Sequence, residues 1–209
     1  RLSALYDIEV QKANVLAQAL RKRNIVVTSL ADLIKKSDFV VEAASVNVSA
    51  EVVEKAITQK RDCMVMSAGG LLLNQHVFSL AKKKGCCVYI PSGAICGVDG
   101  LKAHRLADIE KVTLTTRKPA QALKNAPYVI RNKINLENIH EETQIFEGDA
   151  KAAVLAFPQN INVAAVVSLA GIGEEKTIVK IIASPYAAVN IHEIEIKSKA
   201  GRVFIRCEN

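Results

Sequence analysis

The stretch NIHEIEIKSKAG, which begins at residue 190, contains a histidine in an unusual setting. Ile194 and Ile196 alternate with charged residues, so the stretch is typical of a half-buried β-strand with a period of two residues. His192 lies on the same face of this predicted strand as the two isoleucines. An imidazole there is either a core side chain whose nitrogens find partners, or a general acid/base that faces a cleft. The stretch alone leaves both interpretations open.

A second candidate is Asp7, which ends the strand-like segment RLSALYD. In dinucleotide-binding folds an acidic residue in this position binds the ribose hydroxyls, about 20 residues after a glycine-rich loop. The sequence has no G-x-G-x-x-G motif, so this role for Asp7 implies a glycine loop that precedes Arg1. The alternative is a solvent-exposed aspartate that closes a strand.

Two loops that follow predicted strands contain small residues. The segment DFVVEAAS ends in Ala43, Ala44 and Ser45, whose size would let a cofactor approach the backbone, although they are also ordinary turn residues. We count Ser45 among the candidates for cofactor binding. The segment PSGAICG follows the strand CCVYI, and its proline and glycines bend the chain where a cleft would open.

These candidates are positioned by a regular alternation of strands and helices in the first half of the chain. The predicted strands are RLSALYD, IVVTSL, DFVVEAAS, CMVMSAGG and CCVYIPSG, and amphipathic helical segments separate them. We expect Ser49 to cap the helix SAEVVEKAITQKR, and Gly85 to end the helix NQHVFSLAKKKG. Apolar strands between helices predict an α/β fold with a Rossmann-type parallel sheet covered on both faces.

The pattern changes in the second half of the chain. The segments KVTLTTRK, KTIVKIIASP, NIHEIEIKS and RVFIRC alternate as strands, with Gly201 in the turn between the last two, whereas GDAKAAVLAF and NINVAAVVSLAG are helical. This combination predicts an α+β domain with a mixed or antiparallel sheet. We therefore expect a dinucleotide-binding domain over residues 1–98 and a second domain over residues 99–209.

The composition is that of an ordinary globular protein, with 209 residues of which 50% are hydrophobic and 23% charged. The net charge of +7 comes largely from the last turns of predicted helices, where cations favour the helix dipole. Because only 4% of the residues are aromatic, nucleic-acid binding is disfavoured. The apolar runs are too short to span a membrane. The five cysteines form no C-x-x-C pair, which argues against a structural metal and favours a reducing, cytoplasmic location.

Three motifs in a fixed order together resemble the L-aspartate dehydrogenase family of archaea and bacteria. They are YIPSGAICGVDGLKA, FPQNINVAAVVSLAG and NIHEIEIKSKAG, and the segments at residues 6–7 and 40–45 fit the nucleotide-binding half of that family. The resemblance covers nearly the whole chain. Family members also begin with a strand and a glycine loop and end with an Asn-Pro-Lys-Thr-like turn and a helix. This chain therefore looks like a family member clipped at both ends.

The resemblance implies roles for individual residues. His192 matches the active-site histidine of the family, and Asp7 matches the acidic position at the end of the second strand. Ala94 and Asn162 match an alanine and an asparagine that contact the cofactor, with Asn160 as the less favoured alternative to Asn162.

The resemblance also implies an activity. The enzyme would use NAD or NADP to convert L-aspartate to iminoaspartate, which hydrolyses to oxaloacetate and ammonia, and it could feed NAD biosynthesis. It would be a homodimer built on the sheet of the second, catalytic domain. Asp7 would repel a 2′-phosphate and so favours NAD. Arg117, Arg131 and Lys133 are candidates for binding the two substrate carboxylates, but only because of their charge. Each of them is also typical of a solvated surface residue.

Three other functions remain open from the sequence. One is another two-domain reductase, such as a dihydrodipicolinate reductase, although the His-His…Lys pattern of those enzymes is absent. The second is a nucleotide-binding module that regulates a partner, and the third is a homodimeric remnant that binds nothing. The enzyme interpretation requires His192 to face a cleft beside Ala94 and Asn162.

Overall fold

The computed structural model describes residues 1–158 and 162–209. The chain forms two compact units, Arg1–Pro91 and Ser92–Asn209. The domain division expected from the sequence, after residue 98, lies a few residues further along the chain.

The first unit is built on a parallel sheet in the order β1-β2-β3. Its strands are β1 (Phe39–Glu42), β2 (Asp62–Val65) and β3 (Val88–Tyr89). Its helices are α1 (Val10–Ala19), α2 (Leu30–Lys35), α3 (Ser49–Thr58), α4 (Ala68–Leu73) and α5 (His76–Lys84). The core of the unit forms where apolar residues of the sheet meet those of the helices, chiefly Ile34, Val40, Val53, Ile57, Val65, Leu71 and Val77. The predicted parallel sheet of Rossmann type is confirmed.

Two segments of the first unit that were predicted as strands form only a single β-bridge. Leu5 and Val26 form an isolated parallel bridge, with Leu5 N–H donating to Ile25 O at 2.7 Å and Val27 N–H donating to Leu5 O at 2.9 Å. The prediction of full strands over RLSALYD and IVVTSL was therefore wrong. One residue of each segment forms a bridge, and the pairing does not continue into a ladder.

Three local predictions in the first unit have mixed outcomes. Helix α5 ends as predicted at Gly85, which has a left-handed φ of +68°. Ser49 was wrongly predicted as the cap of α3, because Val48 holds the cap position and the Ser49 hydroxyl instead donates to Val46 O at 3.3 Å. The segment CMVMSAGG is a strand only as far as Val65, and its Ala-Gly-Gly begins α4.

The second unit contains a mixed sheet of five strands in the order β5-β6-β4-β7-β8. The strands are β4 (Ile109–Pro119), β5 (Thr143–Asp149), β6 (Thr177–Ser184), β7 (Ile191–Ser198) and β8 (Gly201–Glu208). The helices are α6 (Val98–His104), α7 (Ala120–Leu123), α8 (Pro127–Arg131), α9 (Ala150–Ala156) and α10 (Asn162–Ala170), with a 3₁₀ turn at Arg105–Ala107. Strands β4 and β6 are parallel and the other neighbours antiparallel, which confirms the predicted mixed sheet.

The five-stranded sheet has one covered face and one open face. The covered face contains buried aliphatic residues against which α6, α9 and α10 pack, among them Val112, Leu114, Val179, Ile181, Ile194 and Ile196. The open face contains the alternate residues, including the ion-paired side chains of Arg117, Glu193 and Arg206. Strand β5 was not predicted from the sequence. Gly201 begins β8 rather than lying inside the turn, which consists of Lys199 and Ala200.

Candidate active site

The covered face of the second sheet becomes polar at the carboxyl end of β4. Val112 and Leu114 begin this face of the strand as fully buried aliphatic residues. Thr116 and Lys118 continue the same alternation, and both are buried. Buried polar groups are costly unless they are paired, so a cluster of them within an apolar face indicates a functional site rather than a packing solution.

His192 lies beside these two residues because β7 pairs with β4. Thr116 and His192 are direct cross-strand partners, so their side chains lie on one face of the sheet. Thr116 Oγ1 is 3.0 Å from Nδ1 of His192, and the exposed fraction of the histidine is only 3%. The prediction that His192 shares a face with Ile194 and Ile196 agrees with the alternating burial of β7.

The surroundings of His192 determine its protonation. Burial, and to a lesser extent the positive charge of Lys118, lower the pKa of His192 from 6.5 to about 4. Burial likewise lowers the pKa of Lys118. The imidazole is therefore neutral at neutral pH, which is the form that can accept a proton.

A pair of cysteines lies next to His192 and extends the site toward Ala94. Cys207 on β8 is the cross-strand partner of His192, and its sulfur is 3.4 Å from that of Cys96. Asn209, two residues later, donates from its side-chain amide to the carbonyl of Ala94. The turn at residues 92–97, which contains Ala94, is thus tied to the end of β8.

Asn162 is the first residue of α10, and it is exposed. Helix α10 packs against α6 and β6, two elements of the same unit as His192. Asn160, the less favoured alternative, lies outside the described residues.

In the first unit, Glu42 holds together the loops that follow β1 and β2. Its carboxylate accepts hydrogen bonds from Ala44 N–H at 2.7 Å, from Ser67 N–H at 3.0 Å and from the Ser67 hydroxyl at 2.9 Å. The residue is buried, with an exposed fraction of 2%. Ser45 lies in the first of these loops and is exposed. The carboxyl ends of parallel strands are where open sheets bind ligands.

This edge of the first unit fits a pyridine dinucleotide. The exposed residues after β1 are small, and Gly70 packs so closely that a Cβ atom there would lie 2.1 Å from the Ser49 hydroxyl oxygen. Asp7 follows the Leu5 bridge, and its Oδ1 accepts a hydrogen bond from Glu9 N–H at 2.8 Å. Small residues beside the strand ends are what dinucleotide sites use. Such sites also use an acidic residue at the end of a strand, whereas Asp7 follows an isolated bridge.

Arg117 does not lie on the face that contains His192. It points to the open face, where it pairs with Glu193 and with Glu142. Burial opposes the charge of Arg117, but the hydrogen bonds that Arg117 donates to Glu193 and Glu142 outweigh it and raise the pKa of Arg117. Arg131 and Lys133, the other cations suggested by charge, are exposed.

Thr116, Lys118 and Glu42 are the candidate site residues that the sequence did not reveal. Thr116 and Lys118 lie in KVTLTTRK, where the alternation that predicts a strand also puts them on the face of Val112 and Leu114. The position of a lysine in the same alternation as aliphatic residues could have indicated a buried functional group. Glu42 ends an otherwise apolar strand, and this is a weaker indication of a functional residue.

Other kinds of site find less support in the described part of the chain. Across residues 1–158 and 162–209, no three His, Cys, Asp or Glu side chains come together as metal ligands would. The helices in these ranges are all too short or too polar to cross a bilayer.

Two family models together match nearly the whole chain. Residues 99–209 match a model described as "Aspartate dehydrogenase, C-terminal", and residues 1–91 match one described as "Homoserine dehydrogenase, NAD binding domain". A curated L-aspartate dehydrogenase from Methanosarcina mazei is 44% identical over 211 residues, covering 100% of this chain and 78% of that protein. Another, from Nitrosopumilus maritimus, is 40% identical with the same coverage of both proteins, 100% and 78%.

Solved structures show the same similarity. The crystal structure of aspartate dehydrogenase from Thermotoga maritima matches with a TM-score of 0.71 and 29% identity, covering 83% of this chain and 69% of that one. A myo-inositol dehydrogenase from Lactobacillus casei, solved with NAD(H) and myo-inositol, matches with a TM-score of 0.56 and 13% identity, covering 97% of this chain and 65% of that one. At that identity the second match indicates a shared fold alone.

Proposed function

Because this chain belongs to the L-aspartate dehydrogenase family, we propose that it interconverts L-aspartate with oxaloacetate and ammonia through iminoaspartate. The redox partner is NAD or NADP. The observation that carries the proposal is the buried polar cluster of Thr116, Lys118 and His192 on an otherwise aliphatic sheet face. It lies in the unit that matches the aspartate dehydrogenase model.

His192 is proposed to move the proton. Its ring is neutral at neutral pH, since burial and then the charge of Lys118 lower its pKa to about 4. In the tautomer whose Nδ1–H donates to Thr116 Oγ1, Nε2 has a lone pair that can accept a proton, and we assign the proton transfer to Nε2. In the oxidative direction, Nε2 accepts a proton from the substrate amine or from the water that adds to the imine. In the reductive direction the same nitrogen returns it.

Asp7, Ser45, Ala94 and Asn162 are each proposed as a cofactor-binding residue. Asp7 and Ser45 belong to the first unit, where Glu42 holds the loops beyond the strands. Ala94 and Asn162 belong to the second. A bound pyridine dinucleotide would supply hydride-transfer chemistry at C2 of the substrate. Asp7 would repel a 2′-phosphate, which favours NAD over NADP.

The wider setting is also a proposal. Residues 1–98 act as the dinucleotide-binding domain, and residues 99–209 as the catalytic and dimerisation domain of a homodimer. The five cysteines are free thiols, which is consistent with a reducing cytoplasm. In that compartment the reaction would feed NAD biosynthesis.

The test is oxidation of NADH or NADPH by the native protein in the presence of oxaloacetate and ammonia. His192→Gln, which nearly preserves the size of the side chain, is expected to lower kcat by at least about 100-fold, the usual contribution of a general acid/base. His140→Gln, at an exposed histidine of the same unit, is the control and should retain full activity. His192→Ala should reproduce the loss.

Other outcomes would redirect the interpretation. A native protein that binds the cofactor but never oxidises it would be a nucleotide-binding regulator. If His192→Gln keeps the native rate, the histidine is a core side chain and the proposed proton transfer belongs to another group.

A further inference from the structure

We propose that Lys118 binds a carboxylate of the substrate beside His192 and thereby makes the site selective for dicarboxylates. The inference rests on the proposed function, because it names the group that recognises the substrate of that reaction. It also assigns a role to the buried ammonium group of Lys118, which takes no part in the proposed proton transfer.

The placement of Lys118 follows from the register of the central strands. Lys118 comes two residues after Thr116 along β4, so both side chains lie on the covered face, and Thr116 is the cross-strand partner of His192. On the other side of β4, Lys118 is aligned with the small residue Ala183 of β6. The ammonium therefore lies at the carboxyl ends of the two parallel strands, on the same face as the imidazole.

The charge of Lys118 reaches His192. It is the second cause, after burial, of the lowered pKa of the histidine. Strand β8 contributes Cys207 as the direct partner of His192. Helix α6, which packs against β7, carries Asp99, Lys102 and His104. His104 bonds to Ser198, at the far end of β7. The positive charge of Lys118 is therefore close enough to lower the pKa of His192.

The chemistry of the substrate supplies the complement. Aspartate and oxaloacetate each have two carboxylates, and a site that turns them over needs cationic donors in a water-poor setting. With an exposed fraction of 9%, Lys118 has little contact with water, and ion pairs are stronger there than at the surface. Arg117, the neighbouring cation, is paired with two glutamates on the opposite face.

The experiment compares Lys118→Met with Lys118→Arg and with a control, Lys151→Met, which removes an exposed lysine of α9. Methionine has a similar volume, and replacing a buried charge by an apolar side chain is often tolerated by the fold, which thermal unfolding would verify. We expect kcat/KM for oxaloacetate to fall about 100-fold in Lys118→Met, chiefly through KM, because a buried charged partner is lost. Lys118→Arg should recover part of the loss, and Lys151→Met should match the native protein.

The comparison with a monocarboxylate identifies the contact. Pyruvate lacks the second carboxylate of oxaloacetate, so the preference of the native protein for oxaloacetate over pyruvate should largely disappear in Lys118→Met. A merely structural lysine would lower both activities equally. An unchanged preference would overturn the inference.

A binding measurement keeps this inference separate from the proposed function. Succinate is a dicarboxylate that cannot react, and calorimetry would measure its binding to the native protein and to Lys118→Met. Lys118-dependent succinate binding in a protein without turnover would support the inference while the proposed function fails. Turnover of oxaloacetate that is insensitive to Lys118→Met would do the reverse. A native protein that neither turns over oxaloacetate nor binds succinate would refute both.

Discussion

At the scale of single residues, His192 lies on the boundary between the aliphatic and polar parts of a covered sheet face. Ile194 and Ile196 continue its strand into the core, while Thr116 and Lys118 face it from β4. Burial makes the charged imidazolium costly, and the nearby ammonium adds to that cost. The same position that packs the ring therefore also keeps it neutral and able to accept a proton.

This arrangement predicts how stability depends on pH. The pKa of His192 is about 4 in the folded protein and 6.5 in the unfolded chain, so between these values the unfolded chain binds a proton that the folded protein does not. The His192 contribution to the free energy of unfolding should be constant above pH 6.5 and fall by about 3 kcal/mol by pH 4. Urea denaturation across this range would measure it.

The control for this prediction is His192→Gln, which has no titrating group at the position. Subtracting its pH profile from that of the native protein removes the contribution of the carboxylates. Parallel profiles would mean that His192 titrates normally and is not desolvated.

At the scale of elements, the turn at residues 92–97 owes its position to the end of β8. Cys96 N–H donates to the sulfur of Cys207 at 3.4 Å, and Asn209 donates to the carbonyl of Ala94. Gly97 ends this turn in a left-handed conformation with a φ of +74°. A Cβ atom at Gly97 would lie 2.3 Å from Ile205 Cδ1, so a larger residue would require the Ile205 side chain to shift and would also have to adopt the left-handed φ that favours glycine.

Two glycines of adjacent elements should therefore respond oppositely to alanine. Gly97→Ala should lower the free energy of unfolding by about 1–3 kcal/mol, since it adds both backbone strain and overpacking. Gly100→Ala should raise it by about 0.5–1 kcal/mol, because Gly100 lies within α6 and alanine favours the helix. Apart from its chain neighbours and the backbone of its own helix, no described atom lies within 4 Å of a Cβ built at Gly100.

Thermal unfolding of both variants would measure these changes, and cofactor binding would show whether the Ala94 turn has moved. Equal effects from the two substitutions would contradict the proposed approach of the turn to β8.

At the scale of the whole molecule, the open face of the five-stranded sheet distinguishes the second unit. It combines a network of ion pairs, including Arg117 to Glu193 and Arg206 to Glu193, with the aromatic ring of Phe204. The exposed fraction of Phe204 is 58%. An exposed aromatic residue on a sheet face suits an interface between subunits, so the proposed homodimer is expected to form there.

Light scattering coupled to size exclusion would test that assembly. The native protein should elute as a dimer, and Phe204→Lys should shift it toward the monomer because it replaces an interface aromatic by a charge. Leu155→Lys is the matched control, since Leu155 has an exposed fraction of 60% on α9, which packs on the covered face. A monomeric native protein, or equal dissociation of both variants, would exclude an interface on the open face.

The elements could be predicted from the sequence wherever a local period was strong. Strands β4, β6, β7 and β8 and helices α1, α2, α3 and α5 fall where the sequence indicates them, whereas α4 begins in a segment predicted as strand. Strand β5 escaped prediction because TQIFEGD has few apolar residues and lies at an edge of the sheet. The first predicted strand, RLSALYD, is the opposite case: the segment has apolar residues but forms no strand. An apolar segment becomes part of a ladder only when a neighbouring segment pairs with it along its length.

By itself, the sequence determined the type of fold, the face on which His192 lies and the family motifs, because each depends on residues close together in the chain. Only the tertiary structure decided that His192 meets Thr116, which is 76 residues away, and that Lys118 lies on the same face. It likewise decided that Arg117 is committed to Glu142 and Glu193. Strand order and register bring these groups together, and both are set by packing across the whole unit, which no local pattern records.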